Sequence, residues 1–342
     1  MPAVWLPYGS TSISIKIDQE DLAWVFPTRL DTSYRNLQAL NNFLRSLSKE
    51  GRLLLMDPTL PIQVKDFLSA GLNMKELTCF DMLNNDPDEN TYAESACLLS
   101  YPHFDPLIEF RGLGENLLPF HKTLWKDFKT SLIEASGSWK TVSLKKYLND
   151  LCNYVDLKLI LLIPWIEDSG MLLADNPIKA YEALENFRQE FSKISPDPSV
   201  ELLLISAGGD PFDESLSRAL SVFLNCLRQC SCKRVILTAE GSKGLGLDPE
   251  LILKNNVELE MPLILRYVNL CKNLLKDRTV YVVSAIPESL LKMVLDCRAY
   301  ETLSDAYRAS RLFLPRGSRT GIVTHASLVA SRPDEAKTVE RE

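Results

Sequence analysis

Short apolar runs alternate with longer amphipathic runs along this chain, and that alternation limits its possible folds more than any other feature. The strand-sized apolar runs are residues 52–56, 96–100, 157–163, 200–206, 234–238 and 279–284. The runs with apolar side chains at helical spacing include residues 37–47, 178–194, 213–229 and 302–311. Strands that alternate with helices form parallel sheets through right-handed crossovers. The pattern predicts an α/β protein made of two Rossmann-like α/β domains with mainly parallel sheets and a cleft between them.

The domain boundary is predicted from a break in the middle of this alternation. Residues 195–198, with the sequence SPDP, end the amphipathic run at residues 178–194, because proline disrupts helices. A chain of 342 residues also fits two domains better than one. The expected parts are an N-terminal domain at residues 1–177, a linker helix at 178–196 and a C-terminal domain at 197–342. From about residue 331 the chain has almost no apolar side chains, which predicts a mobile tail.

The acidic balance of the chain argues against a nucleic-acid partner. Lys and Arg total 38 and Asp and Glu total 45, which gives a formal net charge of −7. A nucleic-acid-binding protein neutralises phosphates with clustered cations, and no run of cations stands out here. The sequence also lacks an apolar run of about 18 residues and a signal-peptide pattern at its start. We therefore expect a cytoplasmic protein whose partner is a small-molecule ligand, with neither nucleic acid nor membrane.

The cysteines are scattered along the chain, which favours reduced thiols over a disulfide framework. They are Cys79, Cys97, Cys152, Cys226, Cys230, Cys232, Cys271 and Cys297. The C-x3-C-x-C group at residues 226–232 could supply thiolates to a soft metal, but no second pair and no neighbouring histidine complete a tetrahedral set. Buried cysteines at a helix end are the favoured interpretation, and no metal ligands are assigned.

Five segments, in a fixed order along the chain, resemble a known family. They are LPYG at residues 6–9, DPTLP at 57–61, His103, FRGLGENLLP at 110–119 and GGDPFD at 208–213. Their order and spacing are similar to those of the nickel-pincer-dependent lactate racemase family. The resemblance implies an isomerase that acts on a 2-hydroxy acid. It also implies a nickel-pincer nucleotide cofactor, carried by a lysine and holding nickel with help from a histidine.

The chain departs from the family pattern at positions that matter for this chemistry. The register of residues 110–119 puts Glu115 at the position of the cofactor-bearing lysine, and a carboxylate cannot form that covalent link. Leu60 stands where the family's loop has an arginine. The chain has 3 histidines, which are His103, His121 and His325. His121 is interpreted as a helix-start residue or a displaced nickel ligand, and His325 as unrelated to the site.

The candidate site residues fall into two groups, and each has a structural alternative. His103 and Glu115 are the candidate catalytic residues, acting as an acid/base pair, although His103 could instead be a satisfied loop histidine. The candidate cofactor-binding residues are Asp57, Thr59, Gly208, Gly209 and Asp213. The two aspartates could instead cap the helices that follow them, and the glycines suit a tight turn whose N–H groups could receive an anion.

Three functions remain open from the sequence. The favoured one is a divergent lactate racemase-like protein that binds a hydroxy acid or another small anion and lacks lactate racemase activity. The alternative is a nickel-pincer-dependent racemase or epimerase of 2-hydroxy acids. The third is an enzyme with different chemistry that uses Glu115 and His103. Glu115 discriminates among them, because it counts against the racemase and leaves the other two open.

Overall fold

A computed structural model of the chain describes residues 3–27, 37–77, 95–138, 141–163, 171–191, 194, 197–253 and 262–330. Its strands are β1 (Ala3–Tyr8), β2 (Thr11–Lys16), β3 (Leu22–Phe26), β4 (Leu53–Met56), β5 (Lys75–Glu76), β6 (Ser95–Ser100), β7 (His103–Asp105), β8 (Glu109–Arg111), β9 (Asp156–Leu162), β10 (Met171–Ala174), β11 (Val200–Ser206), β12 (Arg234–Thr238), β13 (Thr279–Val283), β14 (Cys297–Tyr300) and β15 (Arg319–Val323). Its α-helices are α1 (Leu37–Lys49), α2 (Ile62–Ser69), α3 (Lys122–Ser138), α4 (Leu144–Leu151), α5 (Pro177–Phe191), α6 (Leu216–Gln229), α7 (Pro249–Leu253), α8 (Ile264–Leu275), α9 (Glu288–Val294) and α10 (Leu303–Arg311). Two 3₁₀ helices span Glu115–Phe120 and Ala326–Leu328.

The chain divides into two compact units whose boundaries differ from the predicted ones. Unit 1 comprises Met1–Thr28, Phe191–Glu258 and Ile264–Glu342, and unit 2 comprises Arg29–Glu190 and Leu259–Leu263. The first 28 residues therefore belong with the C-terminal half, because β3 pairs in parallel with β15. The helix that was predicted as a linker, α5, belongs to unit 2 except for its last residue, Phe191, which is assigned to unit 1. The predicted mobile tail at residues 331–342 lies outside the described residues.

Unit 1 is built on a six-stranded sheet in the order β14-β13-β12-β11-β15-β3, and all five pairings are parallel. One face of this sheet carries a continuous apolar core that is shared with the β1–β2 hairpin and α10. The buried members of this core are Leu6, Ile15, Ile17, Leu202, Leu204, Ile236, Tyr281, Val283, Leu303, Ala306 and Ile322. Alternate strand residues point to the opposite face, where α6 packs against β11 and α8.

Unit 2 is built on a five-stranded sheet in the order β10-β9-β6-β4-β5. Strands β5, β4, β6 and β9 pair in parallel, and β10 pairs antiparallel with β9. The central strands read as unbroken apolar runs because both faces of a parallel sheet are buried, as in Leu54, Leu55 and Met56. A separate two-stranded ribbon, β7–β8, follows β6.

The predicted fold class, an α/β protein with mainly parallel sheets, is confirmed. The predicted runs at residues 52–56, 96–100 and 200–206 are β4, β6 and β11. Ile13, Ile15 and Ile17 alternate with polar residues near the start of the chain, and Ile15 and Ile17 are buried in the core on the sheet. The cleft predicted between two domains stays a prediction. Among the described helices, none is both long and apolar enough to cross a membrane.

Candidate functional site

The loops after β4 and β6 place the first group of predicted site residues at one point of the unit 2 sheet. Strand β4 lies between β5 and β6, so the chain leaves the carboxyl ends of β4 and β6 toward opposite sides. Such topological switch points are where ligands bind in open parallel sheets. Asp57 and Thr59 follow β4, and His103 begins β7 just after β6. The two loops are joined by the Thr59 hydroxyl, which lies 3.0 Å from the carbonyl oxygen of Tyr101 and shares its one hydrogen between that oxygen and Asp57 Oδ1.

Asp57 is fully buried and fixes the geometry of its own loop. Its Oδ1 accepts from the Thr59 backbone N–H at 2.9 Å and from the Thr59 hydroxyl. Its Oδ2 accepts from the Asn116 amide at 2.9 Å. The suggestion that Asp57 caps the following helix is wrong, because α2 has Pro61 at its N-cap and no side-chain cap. Both carboxylate oxygens accept hydrogen bonds, so Asp57 links its own loop to the segment that contains Asn116.

Glu115 is only 1% exposed, and its carboxylate closes the turn that precedes it. Its Oε1 accepts from the Gly112 N–H at 2.8 Å, and its Oε2 accepts from the Leu113 N–H at 2.9 Å. Burial, with a smaller contribution from the Asp57 carboxylate, raises the pKa of Glu115 to about 7. The two backbone hydrogen bonds and the Arg111 guanidinium oppose that rise. Glu115 is thus a structural carboxyl that titrates near neutral pH.

His103 and Arg111 face each other across the β7–β8 ribbon, and both are buried. The Arg111 Nε donates to Asp105 Oδ2 at 2.5 Å, so the buried cation has a buried counter-charge. Asp105 Oδ1 accepts the N–H groups of Leu107 and Ile108. This pairing meets the requirement that buried charges be compensated. An acid/base pairing of His103 with Glu115 stays a prediction.

The second group of predicted site residues lies at the corresponding switch point of unit 1. Strand β11 lies between β12 and β15, and Gly208 and Gly209 follow it directly. Gly209 has φ +79°, and a Cβ there would lie 2.9 Å from the Pro7 Cβ. Only glycine allows this conformation together with this close approach. The turn of the β1–β2 hairpin is therefore seated on the loop after β11, where Ser206 also donates to the Pro7 carbonyl at 2.7 Å.

Asp213 is fully buried and holds the same hairpin turn. Its Oδ2 accepts from the Gly9 N–H at 2.7 Å and from the Glu240 N–H at 3.4 Å. Burial raises its pKa. The suggestion that Asp213 caps the following helix is wrong, because α6 begins at Leu216 with Ser215 at its N-cap and no side-chain cap.

The first two N–H groups of α6 are occupied by a loop. Leu216 and Ser217 donate to the carbonyls of Gly244 and Leu245 at 3.0 and 3.1 Å. The residues between Gly241 and Gly246 therefore close over the helix start. These two amides are not available to the anion that the glycine-rich turn suggested.

The structure adds residues to the unit 1 switch point that the sequence did not indicate. His325 and Ser327 follow β15, and a Cβ on Gly208 would lie 3.5 Å from the His325 Cδ2 and 3.3 Å from the Ser327 Oγ. Burial lowers the pKa of His325 to about 4, so its ring is neutral at pH 7. His325 was interpreted as unrelated to the site, because no local pattern shows that β15 returns to pair with β11.

His121 and the cysteines of the C-x3-C-x-C group pack against other side chains or are buried. The His121 ring stacks on Tyr154 with centroids 4.8 Å apart. Cys226, Cys230 and Cys232 are buried. Across the described ranges, no three His, Cys, Asp or Glu side chains are placed together to hold a metal ion.

The comparisons with known proteins show a likeness at the level of structure. No protein-family model matches the chain, and no curated protein sequence matches it. Among solved structures, the chain is similar to the lactate racemase apoprotein from Thermoanaerobacterium thermosaccharolyticum, with a TM-score of 0.63 and 12% sequence identity. The likeness covers 97% of this chain and 100% of that chain. At this identity it establishes a shared fold and no shared activity.

Proposed function

We propose that this chain is a divergent protein of the lactate racemase fold that binds a small hydroxy acid or a similar anion and does not racemise lactate. The observation that carries the proposal is the burial and hydrogen bonding of the Glu115 carboxylate. It occupies the position at which the resemblance implies a cofactor-bearing lysine, and its carboxylate is buried with both oxygens bonded to backbone N–H groups. A residue that closes its own turn in this way serves the local fold.

The residues present do not fit a lysine-tethered pincer cofactor. Covalent capture at residue 115 requires an amine nucleophile, and Glu115 supplies an acceptor in its place. The cation expected in the loop after β4 is also missing, because Leu60 is a fully buried apolar residue. No step of the proposed function therefore involves that cofactor.

Ligand binding is proposed at the two switch points. Each unit carries its predicted binding residues where its sheet reverses strand order, which is the default ligand position in open parallel sheets. In unit 2 the candidate contact is His103, and in unit 1 the candidate contact is His325 beside the Gly208 turn. A neutral imidazole can donate to a carboxylate or accept from a hydroxyl, and a 2-hydroxy acid has both groups.

The first experiment tests the absence of racemase activity. Wild-type protein and Glu115→Lys are incubated with L-lactate, nickel and the pincer cofactor, and D-lactate is measured. We expect no conversion by either protein, because the catalytic groups of such a site act as one unit. Conversion of L-lactate to D-lactate by the wild-type protein would refute the proposal.

The second experiment tests binding by calorimetric titration with L-lactate, D-lactate, glycolate and malate. His103→Gln and His325→Gln are each expected to weaken binding at their own switch point about tenfold, through the loss of one hydrogen bond to a charged group. His121→Gln is the matched control, since its ring stacks on Tyr154. The binding half of the proposal fails if no acid binds at millimolar concentration or if the control loses as much affinity as the other two variants.

A further inference from the structure

We propose that a surface groove of unit 1, between β2 and α10, binds a small organic phosphate. The groove has a volume of about 700 Å³ and is lined by Ser14, Ile15, Lys16, Ser304, Tyr307, Arg308, Arg311 and Leu312. Its lining includes none of the candidate site residues described above, and the proposal does not depend on the hydroxy-acid function.

The two walls of the groove follow from the periodicity of the elements that form them. Ser304, Arg308 and Arg311 are four and three residues apart on α10, so they share one face of the helix. Ser14 and Lys16 are two residues apart on β2, so they share one face of the strand. Both rows contribute residues to the lining of the groove.

The charge of the groove is positive in a chain whose net charge is −7. Its lining includes three cations and, among the described residues, no acid. Arg311 is already bonded to Asp21 Oδ1 at 2.6 Å and helps to hold α10 in place. The Arg308 side chain is 78% exposed and lies 3.6 Å from Asp305, so a ligand could engage it with little rearrangement.

Lys16 is the third cation and has no ion pair with any carboxylate in the part of the chain that the structure describes. Lys16 and Arg308 are thus the cations that remain to bind a ligand. Ammonium and guanidinium groups bind phosphate oxygens through charge-assisted hydrogen bonds, and the serine hydroxyls on both walls can add neutral ones. The polar lining is therefore suited to a phosphate group.

The apolar part of the lining indicates that the ligand carries an organic group as well. Leu312, which lines the groove, is 72% exposed, which leaves a large apolar side chain of the lining in water. Covering such surface is favourable by about 25 cal/mol per Å². Inorganic phosphate would leave it uncovered. The volume also lies within the range of about 300–1,000 Å³ that small-molecule sites show.

The test uses adenosine diphosphate as the organic probe, pyrophosphate as the inorganic one, and phosphatidylcholine vesicles with and without phosphatidic acid. Binding to the intact chain is measured by calorimetry and by co-sedimentation. We expect adenosine diphosphate to bind more tightly than pyrophosphate, and both to weaken as salt is added. Lys16→Glu and Arg308→Glu should each lower the affinity for both soluble probes by about tenfold or more. Leu312→Ser should lower the affinity for adenosine diphosphate and leave that for pyrophosphate unchanged.

Arg316→Glu is the matched control, because Arg316 is also exposed, as Lys16 and Arg308 are, lies outside the groove lining and gives the same change of charge. It should change Kd by less than about fivefold. The proposal is overturned if neither soluble probe binds, or if Arg316→Glu weakens binding as much as Lys16→Glu. Binding to phosphatidic-acid vesicles without binding to either soluble probe would also overturn it, since the phosphate would then come from a lipid headgroup.

Discussion

Replacing Glu115 with lysine should destabilise unit 2, even though lysine is the residue that the family resemblance implies at this position. In the wild-type chain the carboxylate accepts the N–H groups of Gly112 and Leu113 at 2.8 and 2.9 Å. A lysine has three donors and no acceptor, so both N–H groups would lose their partner in a buried place. The new ammonium would also lie near the buried Arg111 guanidinium, which already influences the pKa of Glu115.

The magnitude follows from the hydrogen bonds that are lost. A buried donor left without a partner costs about 1–3 kcal/mol, so two of them cost roughly 2–6 kcal/mol. The whole stability of a domain is about 5–15 kcal/mol. Attraction between the lysine and the buried Asp57 carboxylate would offset part of the loss. Glu115→Lys is therefore expected to lower the free energy of unfolding by a large fraction and to leave unit 2 partly unfolded at physiological temperature.

Urea unfolding and amide hydrogen exchange together measure this effect. The unfolding midpoint should fall in Glu115→Lys, and the amides of Gly112 and Leu113 should exchange faster than in the wild type. Glu50→Lys makes the same change of charge at an exposed position of the same unit and should stay within about 0.5 kcal/mol of the wild type. If Glu115→Lys unfolds at the wild-type urea concentration with both amides still protected, the structural role assigned to the carboxylate is incorrect.

Three further results are expected. The pKa of Glu115 is raised from 4.5 to about 7, so the part of the stability that is linked to its protonation is complete below pH 4.5 and is lost as the pH rises through 7; urea unfolding at pH 5 and pH 8 should show the decrease, and Glu115→Gln should lack it. Asp213→Ala should lower the stability of unit 1 by about 1–3 kcal/mol, because the buried Gly9 N–H loses its acceptor, and hydrogen exchange at Gly9 reports this directly. Gly321→Val should destabilise unit 1 by about 1–3 kcal/mol, since a Cβ there would lie 2.5 Å from the Trp24 ring; unchanged tryptophan fluorescence and melting temperature would contradict it.

Local sequence patterns predicted most of the helices and strands but not which strands pair with one another. The apolar runs that became β4, β6 and β11 were visible because a buried parallel strand needs apolar side chains on both faces. The pairing of β3 with β15 was not predictable, since it joins residues almost 300 positions apart and depends on no local signal. Because of this pairing, the first 28 residues belong to the same unit as the C-terminal half of the chain.

In the candidate site too, local sequence patterns predicted where residues lie along the chain but not which distant residues they contact. The position of Asp57 at a strand end was predictable from the apolar run before it and the proline after it. Its bond to Asn116 was not, because two loops had to meet first. Asp213 was expected to bind a cofactor or cap its helix, but its oxygen receives the N–H of Gly9, which lies 204 positions away. His325 was set aside for the same reason.

The discontinuous make-up of unit 1 has a consequence for how the chain is made in the cell. Leu6, Ile15 and Ile17 are translated some 185 to 316 residues before their packing partners on β11 and β15. At about 5–20 residues per second, these apolar side chains wait on the order of ten seconds to a minute for their partners. Unit 2 can meanwhile complete its own sheet from contiguous residues. The hairpin thus keeps exposed apolar side chains during synthesis, and a nascent chain from which residues 29–190 have left the ribosome should have a folded unit 2 sheet and an apolar β1–β2 segment without its partners.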